Sequence, residues 1–166
     1  MQTFLPYDDF VASLKCLDYR RLGKQRVEAY QLLCALQYSP AVTIYQQKTG
    51  RMPTTTWAKH PAAKMWKGYE SSLAIYYDEC VNEWVGRGFK NTMPYIMPDV
   101  SDPCVRPPWF GDPIIHGSHR SALYRKDPNY YKQFANEPHY SKYYWAVNDE
   151  STRTYSIVSS GFNWLR

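Results

Sequence analysis

The chain has 166 residues, 44% of them hydrophobic, and carries a formal charge of +5 with a sequence pI near 8.9. That length supplies one substantial core and would leave two domains undersized. No apolar run approaches the roughly 18 residues that cross a bilayer, which excludes a membrane helix as the organising element. In chain order, Asp8 or Asp9 can cap a short helix running through Phe10, Leu14 and Leu17. A basic helix is expected from about Tyr19 to Gln37, with Val27, Tyr30 and Cys34 continuing its buried side. Within it, Gly23 marks a bend or a close approach by another backbone. Ser39-Pro40 ends this unit, and residues 41 to 59, with Gly50, Pro53 and three consecutive threonines, hold no sustained period and read as a loop.

From Pro61, the residues Met65, Trp66, Tyr69, Leu73, Tyr76, Tyr77, Cys80 and Trp84 recur at three- and four-residue steps up to Gly88, which predicts one long central helix. Residues 91 to 113 contain Pro94, Pro98, Pro103, Pro107, Pro108 and Pro113, a composition that forbids regular helix and predicts an extended wrap across the helical body. Asp112-Pro113 opens a helix to about Lys126, and Asp127-Pro128 opens a short one holding Tyr130, Tyr131 and Phe134. The chain after Trp145 is polar and then β-leaning through Thr154-Tyr155-Ser156-Ile157-Val158. The fold class is mainly α: a compact helical domain over residues 1–145 around one long helix, with a tail, 146–166, expected to pack on it.

The strongest chemical signal is the run Arg20, Arg21, Lys24 and Arg26, which brings guanidinium and ammonium groups onto one helix and makes a phosphate-binding surface. Lys24 and Glu28 stand one turn apart, the spacing of a surface ion pair or of a pair that shares a proton. Were Lys24 desolvated among rings beside Arg20 and Arg21, its amine could serve as a Schiff-base nucleophile. A second stretch of cations and rings runs from His116 to Tyr144, and His116, His119 and Arg120 read as phosphate or base contacts on a helix facing the basic one. His116 and His119 also have the spacing of two metal ligands on one helix, but no third ligand is evident, so neither a metal nor a cofactor is expected. His60, ahead of a proline, reads as a helix cap.

Sixteen Tyr and six Trp exceed what one core of this size needs, so rings are expected in a cleft or at the surface, where beside cations they suit stacking on bases. Trp66, Trp84 and the long-helix tyrosines form a stripe at helical spacing and belong to the core. Trp109 and the group from Tyr140 to Trp145 lie outside that stripe and can stack or wedge as readily as pack. Cys16, Cys34, Cys80 and Cys104 are widely spaced and read as free thiols. Met1-Gln2-Thr3-Phe4 lacks the pattern of a signal peptide, so a cytoplasmic, nucleoid-associated protein is expected.

Tyr19-Arg20 followed by Arg26-Val27, Lys59-His60 ahead of the long helix, Arg87-Gly88-Phe89 at its exit, and Pro138-His139-Tyr140-Ser141-Lys142-Tyr143-Tyr144 resemble, in this order and spacing, the phage-type pyrimidine-dimer DNA glycosylases of the endonuclease V type. The resemblance, that of a divergent member, implies an all-α domain that grips duplex DNA, kinks it and extrudes a nucleotide. It matches Arg20 and Arg26 to cations of the substrate pocket, and Arg125 and Lys126 to phosphate contacts. It also implies an α-amine, freed when the initiator Met is removed, that attacks the sugar C1′ to give a Schiff base with a helix carboxylate as partner. Gln2 is large enough that Met1 is expected to stay, so the amine would belong to Met1. The family's catalytic glutamate falls on Arg21 when Tyr19-Arg20 is the anchor and on Gly23 when Arg26-Val27 is, leaving Asp18 and Glu28 as the nearest carboxylates.

These readings converge on a monomeric enzyme on duplex DNA that flips a damaged or modified pyrimidine nucleotide and works on its glycosidic bond, with or without lyase activity, or on the exposed base itself. Lys24, Glu28 and Met1 are its candidate catalytic groups. A base-modifying transferase on the same scaffold and a non-catalytic DNA-binding module are the alternatives.

Overall fold

A computed structural model describes residues 1–98, 106–149 and 151–159. The fold is mainly α. Helix α1 (Phe10–Lys15) is capped by Asp9, whose carboxylate accepts from the Ala12 N–H at 2.7 Å. Helix α2 (Tyr19–Ala35) is capped by Asp18, which accepts from the N–H groups of Arg20 and Arg21 at 3.0 Å. Both caps work because a short side-chain oxygen satisfies N–H groups that have no partner within the helix.

Two expected helix boundaries in the first half of the chain need correction. Ser39-Pro40 does not lead into a loop: it starts helix α3 (Ser39–Thr49), with the proline in the first turn, where its missing N–H costs nothing. Gly50, at φ 69°, closes that helix, and a 3-10 turn follows at Thr56–Lys59. The predicted single long helix is two, α4 (Pro61–Trp66) and α5 (Glu70–Gly86). Gly68 breaks it at φ 84°, a left-handed conformation that costs little only without a Cβ. The apolar period survives the break because both helices bury the same stripe, with Met65, Trp66, Leu73, Tyr76, Tyr77 and Cys80 all fully buried.

Helix α5 packs along α2. Where they cross, a Cβ on Gly23 would lie 3.1 Å from Cζ3 of Trp84, so the close approach foreseen at this glycine is made by an indole ring rather than by backbone. Residues 91–98 and 106–112 run without helix over this body. The Asp78 carboxylate accepts from the N–H groups of Ile96 and Met97 at 2.9 Å, and Tyr77 OH donates to the Pro94 carbonyl. Pro103 and Cys104 lie outside the described residues. Trp109 is fully buried and donates to the Met65 carbonyl at 3.0 Å, so it packs and neither stacks nor wedges.

Helix α6 (Pro113–Lys126), capped by Asp112, follows as expected. After it, turns and a 3-10 turn at Lys132–Phe134 stand where a short helix was predicted. The chain then forms an antiparallel hairpin, β1 (Tyr144–Asp149) with β2 (Thr154–Ser159), in the register Tyr144↔Ser159 to Asp149↔Thr154. Trp145 and Ala146 of β1 enter the core, and Asn148 donates to the Met65 carbonyl at 3.0 Å. Cys16 is half-buried and Cys34 and Cys80 are buried, all as free thiols; burial pushes Cys16 up to about 12, which keeps it protonated and inert.

Replacing Gly68 by Ala puts a Cβ where φ is positive and is expected to cost about 1 kcal/mol. Urea unfolding checks this; a stability equal to wild type would show that α4 and α5 tolerate a continuous turn.

Candidate nucleotide-binding cleft

Helix α2, the first residues of the chain and the end of α6 line a cleft of about 860 Å³. Helix α2 contributes Asp18, Tyr19, Arg20, Arg21, Lys24, Gln25 and Glu28; the N-terminal segment contributes Met1, Gln2 and Phe4. Lys126, Asp127, Tyr130 and Tyr143 complete its lining. This volume lies in the range of small-molecule sites. Exposed Arg20, Lys24 and Lys126 stand at its margins, and Tyr19 and Tyr130 are 53% and 47% exposed, so rings and cations face the same space.

Asp18 is the cleft's structural hinge. Beyond capping α2, its carboxylate takes a hydrogen bond from Tyr131 OH at 2.6 Å and an ion pair from Arg21, whose guanidinium lies 5.5 Å from the Tyr131 ring centroid. Burial pushes the Asp18 carboxyl up, but the bonds from Tyr131 and Arg21 outweigh it and hold the group below the usual carboxylate range.

Glu28 faces the N-terminal segment. Its Oε2 lies 3.3 Å from the Gln2 backbone N–H and 3.4 Å from Gln25 Nε2. Among the described residues no ion pair joins it to Lys24, so the i,i+4 pair suggested by spacing does not form. Lys24 stands exposed at the rim, without the desolvation among rings that the sequence suggested.

Several predicted contact residues lie elsewhere. Arg26 donates to Asn91 Oδ1 at 2.8 Å and lies 3.9 Å from the Trp84 ring centroid, lining an adjacent groove of about 440 Å³ that shares Tyr19, Arg20, Lys24 and Glu28 with the cleft. His116 and His119 are 3% and 0% exposed, so neither ring is open to a phosphate or base. His116 Nδ1 bonds the Leu5 carbonyl at 2.7 Å and its Nε2 accepts from the Gly111 N–H at 2.8 Å. His119 Nδ1 accepts from the Leu5 N–H at 3.0 Å. Both nitrogens of His116 and Nδ1 of His119 are engaged by protein groups, and among the described residues no cluster of three His, Cys, Asp or Glu side chains is arranged to hold a metal ion. Arg120 is tied to Glu137 at 2.9 Å and to the Pro6 carbonyl at 2.7 Å, and Arg125 to the Tyr140 carbonyl. These two cations brace the fold around the cleft.

Sequence reasoning missed Gln25. It is 1% exposed, accepts from the Phe4 N–H at 2.8 Å and from Tyr76 OH at 2.7 Å, and donates to the Gln2 carbonyl at 3.0 Å. The signal was available: an uncharged polar residue interrupting the stripe Leu22, Ala29, Leu32 on the buried face of α2. His60 caps α4 through Nδ1, 3.1 Å from the Ala62 N–H, as foreseen; burial and then the N-terminal ammonium hold its pKa down.

Residues 1–97, more than half of the chain, match the family described as pyrimidine dimer DNA glycosylase. The chain belongs to that family. Its function is therefore of the DNA glycosylase type, with DNA as substrate. No curated protein and no solved structure matches it. Among the described residues no helix is long and apolar enough to cross a membrane.

The buried histidines predict an acid sensitivity. Burial, His116 and Arg120 hold His119 down to about 3, whereas an unfolded histidine titrates near 6.5, so the unfolded chain binds the extra proton between those values. The stability that neutral His119 contributes is complete above about pH 6.5 and falls by about 1.4 kcal/mol per pH unit below it. Urea unfolding at pH 7 and pH 5 is expected to show this loss, and a flat profile would contradict it.

Proposed function

We propose that the protein extrudes a damaged or modified pyrimidine nucleotide from duplex DNA into the cleft and cleaves its glycosidic bond through an amine nucleophile, working as a monomer. Support comes from one juxtaposition: the N-terminal segment, Lys24 and Glu28 line the same space, which Arg20, Arg21 and Lys126 make attractive to phosphate. The amine, of Met1 or of Lys24, attacks C1′ as the bond to the base breaks and the base leaves with the electron pair. The amine proton passes to a carboxylate, and opening of the sugar ring at O4′, which takes up a proton, gives the Schiff base.

Glu28 is the carboxylate in this scheme. Its contact with the Gln2 N–H supports this role, although its sequence position differs from that of the family's glutamate. Arg20 and Lys126 hold the flanking phosphates, and Tyr19, Tyr130 and Tyr143 offer faces on which an unstacked base can lie.

Borohydride trapping on duplexes carrying pyrimidine dimers, hydroxymethylated bases or abasic sites, with the adduct mapped by mass spectrometry, tests the reading. An adduct at Met1 or Lys24 is expected, and Glu28→Gln is expected to slow its formation about 100-fold with affinity retained. Absence of any adduct, or a Glu28→Gln protein as fast as wild type, would overturn the scheme. Lys126→Ala is expected to weaken binding to all duplexes alike and to lower the salt slope of affinity by about one; an unchanged slope would remove Lys126 from the interface.

A further inference from the structure

We infer that Gln2 is a positioning residue: its side chain anchors the start of the chain between α6 and the C-terminal hairpin, and so fixes where the N-terminal amine stands over the cleft. The inference rests on the amine chemistry proposed above, and it assigns residue 2 the part of an anchor.

Gln2 is 6% exposed although it is the second residue of the chain. Its side-chain amide touches two residues that come from far along the sequence, one of them through a directed hydrogen bond. Trp145 Nε1, on β1, donates to Gln2 Oε1 at 2.8 Å, and Gln2 Nε2 lies 2.6 Å from Nε2 of His119 on α6. Its carbonyl accepts from Gln25 on α2 at 3.0 Å, and its N–H faces Glu28 at 3.3 Å. The segment is thus held on three sides within one residue of its end, where chain termini ordinarily fray.

The chemistry of the anchor is specific. Leu5 N–H fills the lone pair of His119 Nδ1, so the ring proton of the neutral imidazole lies on Nε2. Two buried N–H donors, Trp145 Nε1 and His119 Nε2, then converge on an amide with a single oxygen. That oxygen serves Trp145, and an apolar side chain at position 2 would take it away, a loss that burial makes expensive. A carboxylate of the same length would give each donor its own oxygen. Both donors lie beyond residue 97, so α6 and the hairpin position a group at the opposite end of the chain.

Gln2→Leu and Gln2→Glu test the idea, both side chains being large enough to leave Met1 in place, which intact mass verifies. Gln2→Leu is expected to slow borohydride-trapped adduct formation on an abasic duplex at least tenfold, with Kd for that duplex within twofold of wild type; Gln2→Glu is expected to stay within about threefold in rate. Equal rates in Gln2→Leu and wild type, equal losses in both variants, or a rate loss matched by loss of affinity would overturn the anchor. Hydrogen exchange of the wild-type protein supplies a measurement independent of substrate and of variant folding. The Phe4 and Leu5 amides are expected to exchange slowly, as their bonds to Gln25 and His119 require, and exchange at unfolded-chain rates would overturn the inference. Wild-type protein that shows this protection yet forms no adduct would refute the glycosylase scheme while leaving the anchor standing.

Discussion

The structure depends on the way the first five residues are held. They join no sheet, yet Gln2, Thr3, Phe4 and Leu5 are all buried, and a buried backbone group without a partner costs as much as a lost hydrogen bond. Side chains supply the partners. Gln25 takes the Phe4 N–H and gives to the Gln2 carbonyl, His119 takes the Leu5 N–H, and His116 bonds the Leu5 carbonyl. Because these groups come from α2 and α6, the segment cross-links the two helices that wall the cleft. The cleft's geometry and the position of the N-terminus are one property of the fold.

The same arrangement explains why so few of the basic residues face the cleft. Arg120 and Arg125 cap backbone carbonyls of segments that pack on α6, and Arg26 lies over an indole ring, so these cations stabilise the scaffold through geometry and packing. Arg20, Lys24 and Lys126 are left exposed at the cleft. Arg21 stands between the two roles, paired with Asp18 while lining the cavity. A positive rim beside the carboxylates of Asp18 and Glu28 attracts a phosphate backbone while keeping acid–base groups within the cavity.

Much of the helical framework was legible because its signals are local. Asp9 and Asp112 cap the helices they precede, and Pro113 opens α6, since each acts on backbone within three residues of itself. The missed elements are those in which a local signal has two meanings. Pro40 reads as an end of α2 and acts as the start of α3; Gly68 lies in a continuous apolar period and breaks it, because the period records burial and not helix continuity. Cations were legible as a class, but their individual tasks were not, since Arg20 and Arg120 differ only in which carbonyls and carboxylates the fold brings near them.

The sequence by itself determined the helix-rich class, the caps, the basic face of α2 and the family resemblance, for all of these depend on residue type and short-range spacing. Only the tertiary structure decided that His116 and His119 bind backbone instead of phosphate, that Glu28 meets the N-terminal segment, and that Gln25 and Gln2 are parts of the cleft. The physical reason is separation: the Leu5–His119 bond joins residues 114 apart, and the Gln2–Trp145 bond residues 143 apart. No pattern within a helical turn encodes which buried donor will find which acceptor. That pairing is settled when the core closes and each polar group taken from water must find a partner.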